Sequence, residues 1–233
     1  MNKIKVFYIL LVLLLASCSK DKSFIIYGKY KNQNFFLVEP PVMYTANSQI
    51  NDISTIKDFL KRYKLENYIV DSNQEKIEGE FTLEIQESNK AIYKLDTVTT
   101  DYRLISSGES EFLFEKVDSF TYLSSSSTSP IKCNILSDLI RKIKPIPRCQ
   151  YIPRTSGYDL VCQANEVLYL KKEDDKLYIP FFNKVILSSD QQSNCYSATS
   201  NEQTIFNPEV LNKLSTGDTL IFQAKKIFLN KLN

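Results

Sequence analysis

Between Phe81 and Glu115 the chain alternates apolar and polar side chains. Phe81, Leu83 and Ile85 alternate with Thr82, Glu84 and Gln86. Tyr93, Leu95 and Thr97 alternate with Lys94 and Asp96, and Phe112 and Phe114 alternate with Glu111, Leu113 and Glu115. Successive side chains of a strand point to opposite faces, so a period of two predicts strands with one packed face and one wet face. Gly79, Asn89 and Gly108 fall where turns are needed. Residues 68–123 are therefore expected to form an antiparallel meander. The 14 Tyr and 14 Phe, without Trp, suit pleated strands better than helices. The expected fold class is β-rich α+β, mainly antiparallel.

Two stretches interrupt this period. Ile53, Ile56, Phe59, Leu60 and Tyr63 recur at helical spacing, with Lys57, Asp58, Lys61 and Arg62 on the other side. They predict one amphipathic helix near residues 52–65, capped by Asn51, whose apolar stripe packs into the core. Ile135, Leu136, Leu139, Ile140 and Ile143 predict a short helix near residues 135–143, stopped by Pro145 and Pro147. The apolar bursts 24–27 and 35–38 flank a turn-like Lys31-Asn32-Gln33-Asn34 and predict a hairpin. In the second half, 158–162, 167–170, 177–182 and 185–187 read as short strands. The charged run 171–176 reads as a hairpin turn, 191–207 as a long polar loop and 219–229 as a closing strand. Pro208 suits the first position of a helical turn, with Asn207 as its cap.

The start of the chain follows a different logic. Lys3 and Lys5 precede an unbroken apolar run, Val6 to Leu15, which is too short for a bilayer core that needs about 20 apolar residues. It fits the apolar region of a secretory signal peptide. Leu15-Ala16-Ser17-Cys18 follows, and the whole segment resembles the lipobox of bacterial lipoproteins. The resemblance implies cleavage before Cys18 and acylation of that cysteine, leaving a body tethered to a membrane by several acyl chains. Ser19, rather than Asp, follows the cysteine; in lipoproteins of this kind that implies the outer membrane. Ser19-Lys20-Asp21-Lys22 partly resembles a surface-export signal, with Lys22 replacing its second acid. The periplasmic and cell-surface faces both stay open. The chain then divides into a signal peptide (1–17), a lipidated tether (18–23), a β-rich region with one helix (24–123), a Ser-rich linker or loop (124–130) and a Cys-containing β-rich region (131–233).

The chain carries 29 basic and 27 acidic residues, and Lys3 and Lys5 leave with the signal peptide. What remains is balanced, without the basic excess that nucleic acid favours. Cys133, Cys149, Cys162 and Cys195 form an even set in an exported chain and are disulfide candidates. Four cysteines allow three connectivities. A metal site is disfavoured by the absence of close cysteine pairs and of any histidine.

Absent residue types also narrow the chemistry. Without histidine there is no nucleophile–histidine triad and no imidazole base. The five glycines, at 28, 79, 108, 157 and 217, are spaced too widely for a phosphate cradle. No catalytic residue is assigned, and neither a cofactor nor a metal is expected. One enzymatic route stays open: paired carboxylates among Glu80, Glu84, Glu111 and Glu115, which would have to converge to about 5–10 Å. The leading expectation is an outer-membrane lipoprotein whose body binds a protein or glycan partner or serves as an envelope scaffold, without catalysis. Capture of a small ligand or glycan by a Tyr/Phe-lined pocket is the alternative from another class.

Overall fold

The computed structural model describes residues 26–124, 132–143, 147–155, 157–189 and 194–232; Cys18 and the signal-peptide and tether segments lie outside them. Its first half contains β1 (Gly28–Asn32), β2 (Phe35–Val38), β3 (Val42–Thr45), β4 (Gln49–Ile50), helix α1 (Ile53–Tyr63), β5 (Gln74–Lys76), β6 (Phe81–Ile85), β7 (Lys90–Leu95), β8 (Val98–Ser107) and β9 (Glu111–Ser124). Helix α2 (Lys132–Leu139), β10 (Arg148–Arg154), β11 (Gly157–Glu173), β12 (Lys176–Ser189), β13 (Asn194–Glu202) and β14 (Thr219–Leu232) follow. The protein is thus mostly antiparallel β with few helices. Among the described residues no helix is long and apolar enough to cross a membrane.

Eight strands close on themselves. The pairing order β12-β11-β9-β8-β7-β6-β1-β14 returns to its start because β14 also pairs with β12, over Leu177–Leu187 and Thr219–Leu229. β6 to β9 are the meander that the alternation predicts. Its turns place Asn89 and Asp96 at positive φ, as Asp174 does between β11 and β12; Asn and Asp tolerate that conformation better than most residues. Phe81, Leu83, Ile85, Ala91, Phe112, Phe114, Leu168, Leu170, Leu177, Ile179, Ile227 and Leu229 fill the barrel interior, and Ile26 joins the same cluster. Side chains therefore fill the barrel, as in small closed barrels generally. Fully burying one of the larger side chains contributes about 1.5–3 kcal/mol.

β12 and β14 run on past the barrel mouth into a second, open part of the sheet, where β13, β3 and β4 join them. Alternate residues there meet different cores. Val185 and Ile221 pack under α1 with Ile56, Leu60, Met43, Leu65 and Ile69. Phe182, Ile186 and Leu220 pack under α2 with Leu136, Ile140 and Val210. β2 pairs with β14 and β5 with β2, and Phe36 and Val38 of β2 join the barrel core. β10 pairs only with the first part of β11, which also pairs with the end of β9. These three strands form an arm beyond the barrel, with Val117, Tyr151 and Ile152 exposed.

Several expectations need correction. The hairpin between 24–27 and 35–38 does not form, because β14 lies between β1 and β2; residues 24 and 25 lie outside the described set. The four short strands of the second half are two long ones, β11 and β12. Polar residues inside β11 conceal its continuity, and a register irregularity falls between Asn165 and Val167. Most of the supposed loop 191–207 is β13, a strand whose pairing with β12 does not require apolar residues. α1 is capped by Asp52 rather than Asn51, and Ile53 and Tyr63 on its expected apolar stripe are exposed. α2 begins at Lys132 and ends at Leu139, three to four residues earlier than expected at each end. Strands from both sides of the Ser-rich stretch share one barrel; residues 125–130 of that stretch lie outside the described set.

Candidate functional site

A concave surface lined by three aromatic side chains lies at the end of the open sheet. α1 starts where the Asp52 carboxylate accepts from the Thr55 backbone N–H (2.8 Å) and from the Ser54 and Thr55 hydroxyls (2.6 Å each). These hydrogen bonds, led by that of Ser54, pull the Asp52 carboxyl down to about 2. The helix ends at Lys64 in the left-handed conformation, with φ 58°. Ile56 and Leu60 are turned into the core. Phe59 and Tyr63, in mutual ring contact at 4.9 Å, form one wall of a cleft of about 280 Å³.

Leu187, Ser188 and Ser189 of β12, Cys195 and Tyr196 of β13, and Gly217 with Thr219 complete the cleft. Its rim is closely packed at Gly217. Gly217 has φ +93°, and a Cβ there would lie 2.4 Å from the Ser189 carbonyl oxygen, so the rim closes only around a glycine. Beside it the buried Asp218 accepts from the Ser188 hydroxyl (2.6 Å) and the Ser215 N–H (2.7 Å), and Lys132 pairs with it at 2.7 Å. Burial alone would raise the Asp218 carboxyl; the Lys132 ammonium and the two hydrogen bonds outweigh it and hold it low. Tyr196 is 69% exposed and Tyr63 49%, so both rings present area to a partner.

The four cysteines form two disulfide-compatible pairs. Cys133 of α2 meets Cys195 of β13 with a Cα–Cα distance of 6.0 Å, fastening the cleft strand to the helix behind it. Cys149 and Cys162 face one another across β10 and β11 at 4.0 Å. Among the described residues no group of three His, Cys, Asp or Glu residues is placed to hold a metal ion.

The four carboxylates named from sequence are not brought together. Glu80 and Glu84 stand four residues apart in or beside one strand, as do Glu111 and Glu115, so each pair is separated by about 13 Å at ~3.3 Å per residue. Each also has its own cation: Glu80 with Lys31 (2.7 Å), Glu84 with Lys29 (3.8 Å), Glu111 with Lys171 (3.3 Å) and Glu115 with Arg103 (2.6 Å). The Tyr169 hydroxyl and the Lys171 ammonium hold Glu111 below the usual carboxylate range against the effect of its partial burial.

Two buried lysines were not legible from sequence. The Lys184 side chain, fully buried under α2, meets Glu202 at 2.8 Å and donates to the Ser137 carbonyl at 3.3 Å; Arg141 also pairs with Glu202. Lys225 is equally buried where the barrel meets the α1 core. It pairs with Glu75, donates to the Asn201 side chain and lies 4.3 Å from the centre of the Phe36 ring. Burial lowers both ammonium groups, opposed by their glutamates. Both ammonium groups are committed to internal partners, which makes them struts between layers. The neighbouring Gln223 belongs to the same framework: its amide bonds both the N–H (2.9 Å) and the C=O (2.8 Å) of Val70. Comparison with known protein families, with curated proteins and with solved structures finds no match to this chain.

Proposed function

We propose that the chain is an outer-membrane-anchored lipoprotein with a non-catalytic binding or envelope-scaffold role, and that the cleft walled by Phe59, Tyr63 and Tyr196 is its contact surface. The anchor rests on Leu15-Ala16-Ser17-Cys18 behind a basic and apolar leader. The observation that carries the rest is the distribution of polarity. The barrel interior is packed with apolar side chains, while Lys29, Lys31, Glu84, Arg103 and Glu115 stand on its outside. A barrel that spans a membrane needs the reverse, an apolar outer band about 25 Å tall. This barrel therefore serves as a water-facing pedestal, and its filled interior leaves binding to the outer surface. A photo-crosslinking residue at position 196, in cells making the full chain, is expected to trap a discrete adduct that the same residue at Asp101 does not. No position-specific adduct would refute the reading.

The dimensions and chemistry of the same cleft favour a second reading, capture of a small ligand or glycan. Two exposed tyrosine rings flank serine and threonine hydroxyls, a combination suited to a sugar's apolar face and hydroxyl edge. A panel of soluble oligosaccharides tests it: a ligand at about 100 times its Kd stabilises the folded state by about 2.7 kcal/mol. A flat thermal-shift response across the panel, at concentrations up to solubility, would reject it. The hydrolase alternative draws no support from Glu80, Glu84, Glu111 and Glu115, which are dispersed and ion-paired.

A further inference from the structure

The barrel has two unlike ends, and the chain enters at one of them. Ile26 is packed into the barrel core, and its carbonyl accepts from the Tyr30 hydroxyl at 2.7 Å. β1 then starts at Gly28 beside Ile85, and Lys29 pairs in register with Leu232. The antiparallel order assigns three turns to that same end: residues 86–89, 108–110 and 174–175. The cleft and the β9–β10–β11 arm lie at the other end. β14 measures the separation, because Thr219 lines the cleft and Leu232 pairs beside the entry point. At ~3.3 Å per residue this strand spans about 40 Å.

We infer that the anchored protein stands with the 86–89, 108–110 and 174–175 turns toward the bilayer and carries the Phe59–Tyr63–Tyr196 cleft at the far end of β14, farther out by at most about 40 Å because barrel strands tilt from the axis. The inference rests on the lipid-anchor reading. Residues 19–25 are all that separate Cys18 from Ile26. The eight steps from Cys18 to Ile26 reach at most about 29 Å even when fully extended, less than the length of β14. The entry end must stay within that reach of the headgroups.

Charge indicates the manner of contact. Glu87, Glu109, Asp174 and Asp175 occupy the three turns, and five lysines are interspersed with them: Lys90 and Lys176 next in sequence, Lys172 paired with Asp175 at 3.8 Å, and Lys29 and Lys231 where the chain enters. Attraction to anionic lipid takes a cluster of several basic residues. This end has mixed charge with acids at its tips, so the tether orients the body without adhesion. The cleft then faces partners away from the membrane that holds it.

The test uses the full, acylated chain in phosphatidylethanolamine–phosphatidylglycerol vesicles containing a nickel-chelating headgroup lipid. Spin labels are placed singly at Glu109→Cys or Thr216→Cys, both exposed positions, after thermal unfolding shows that each variant keeps its fold. Nickel-induced relaxation should be several-fold stronger at 109 than at 216. Equal or reversed relaxation in vesicle-bound protein would overturn the orientation and leave the anchor intact. Mass spectrometry showing Cys18 without acyl chains would overturn the anchor itself and the orientation with it.

Discussion

Gly217 offers a direct test of how tightly β12 and the entry to β14 are held, because two other glycines provide internal controls. Gly79 has φ +104°, and a Cβ there would meet only Leu95 Cδ1 at an ordinary 3.5 Å. Gly79→Ala therefore measures backbone strain alone, about 1–2 kcal/mol for a left-handed L-residue. At Gly28, with φ +140°, the new Cβ would lie 2.7 Å from Lys231 Cε, the far end of a side chain able to swing away. Its cost should exceed that of Gly79 only slightly. At Gly217 the obstacle is the Ser189 carbonyl oxygen, 2.4 Å from the new Cβ and part of a strand paired on both sides. Relieving that overlap requires the backbone to move by about 1 Å, adding a repacking cost to the strain, for about 3–4 kcal/mol in total. Urea unfolding of the three variants, extrapolated linearly to water, gives the comparison. The expected order is Gly79, Gly28, Gly217 in increasing cost. A Gly217→Ala variant no less stable than Gly79→Ala would refute the close approach of residue 217 to β12, and with it the described shape of the cleft rim.

The Asp52 carboxyl, at about 2 in the folded state against 3.8 as its ordinary value, contributes stability that is complete above pH 4 and lost as the pH falls toward 2. Asp52→Asn should flatten that part of the pH–stability profile while keeping far-UV helix content, and an unchanged profile would count against the cap. Opening the Cys133–Cys195 pair by double serine substitution should cost about 4 kcal/mol, and opening Cys149–Cys162 about 3 kcal/mol, since the first closes the longer loop; equilibrium unfolding of both variants checks the order. Lys225→Met should destabilise by about 2–3 kcal/mol because Glu75 and Asn201 lose their partner. Adding Glu75→Gln should restore part of that loss, and a purely additive double-mutant cycle would show that the pair is not coupled.

The sequence made the meander legible because β6 to β9 pair with their neighbours in the chain, and each shows one apolar face. Barrel closure was not legible. It depends on β14 pairing with β1 and β12, and no local pattern reports which distant strand will arrive. Gln163, Asn165 and Glu166 concealed β11 by interrupting its apolar residues in the middle. The cleft is hidden in the sequence for a related reason: Phe59 and Tyr63 belong to a stripe that reads as core, yet helix rotation buries Ile56 and Leu60 and leaves these two rings at the rim. Lys184, inside Phe181-Phe182-Asn183-Lys184-Val185-Ile186, looks locally like any solvent-facing lysine, and its burial is set by the packing of α2 on β12. The pairing partner of each cysteine was equally beyond sequence, because it is set by strand register and by the packing of α2 on the sheet.

β14 pairs with β1, β2, β3 and β12, which gives the last strand in chain order control over the tempo of folding. Hairpins such as β6–β7 can form while the chain is still emerging, but neither the barrel seam nor the α1 and α2 cores can consolidate before β14 is present. Closing contacts between β1 and β14 means ordering a loop of roughly two hundred residues, and folds dominated by such distant pairings fold on millisecond-to-second timescales rather than in microseconds. A pulse-labelled hydrogen-exchange experiment should find the amides of β1 and β12 acquiring protection together with those of β14, in one late step.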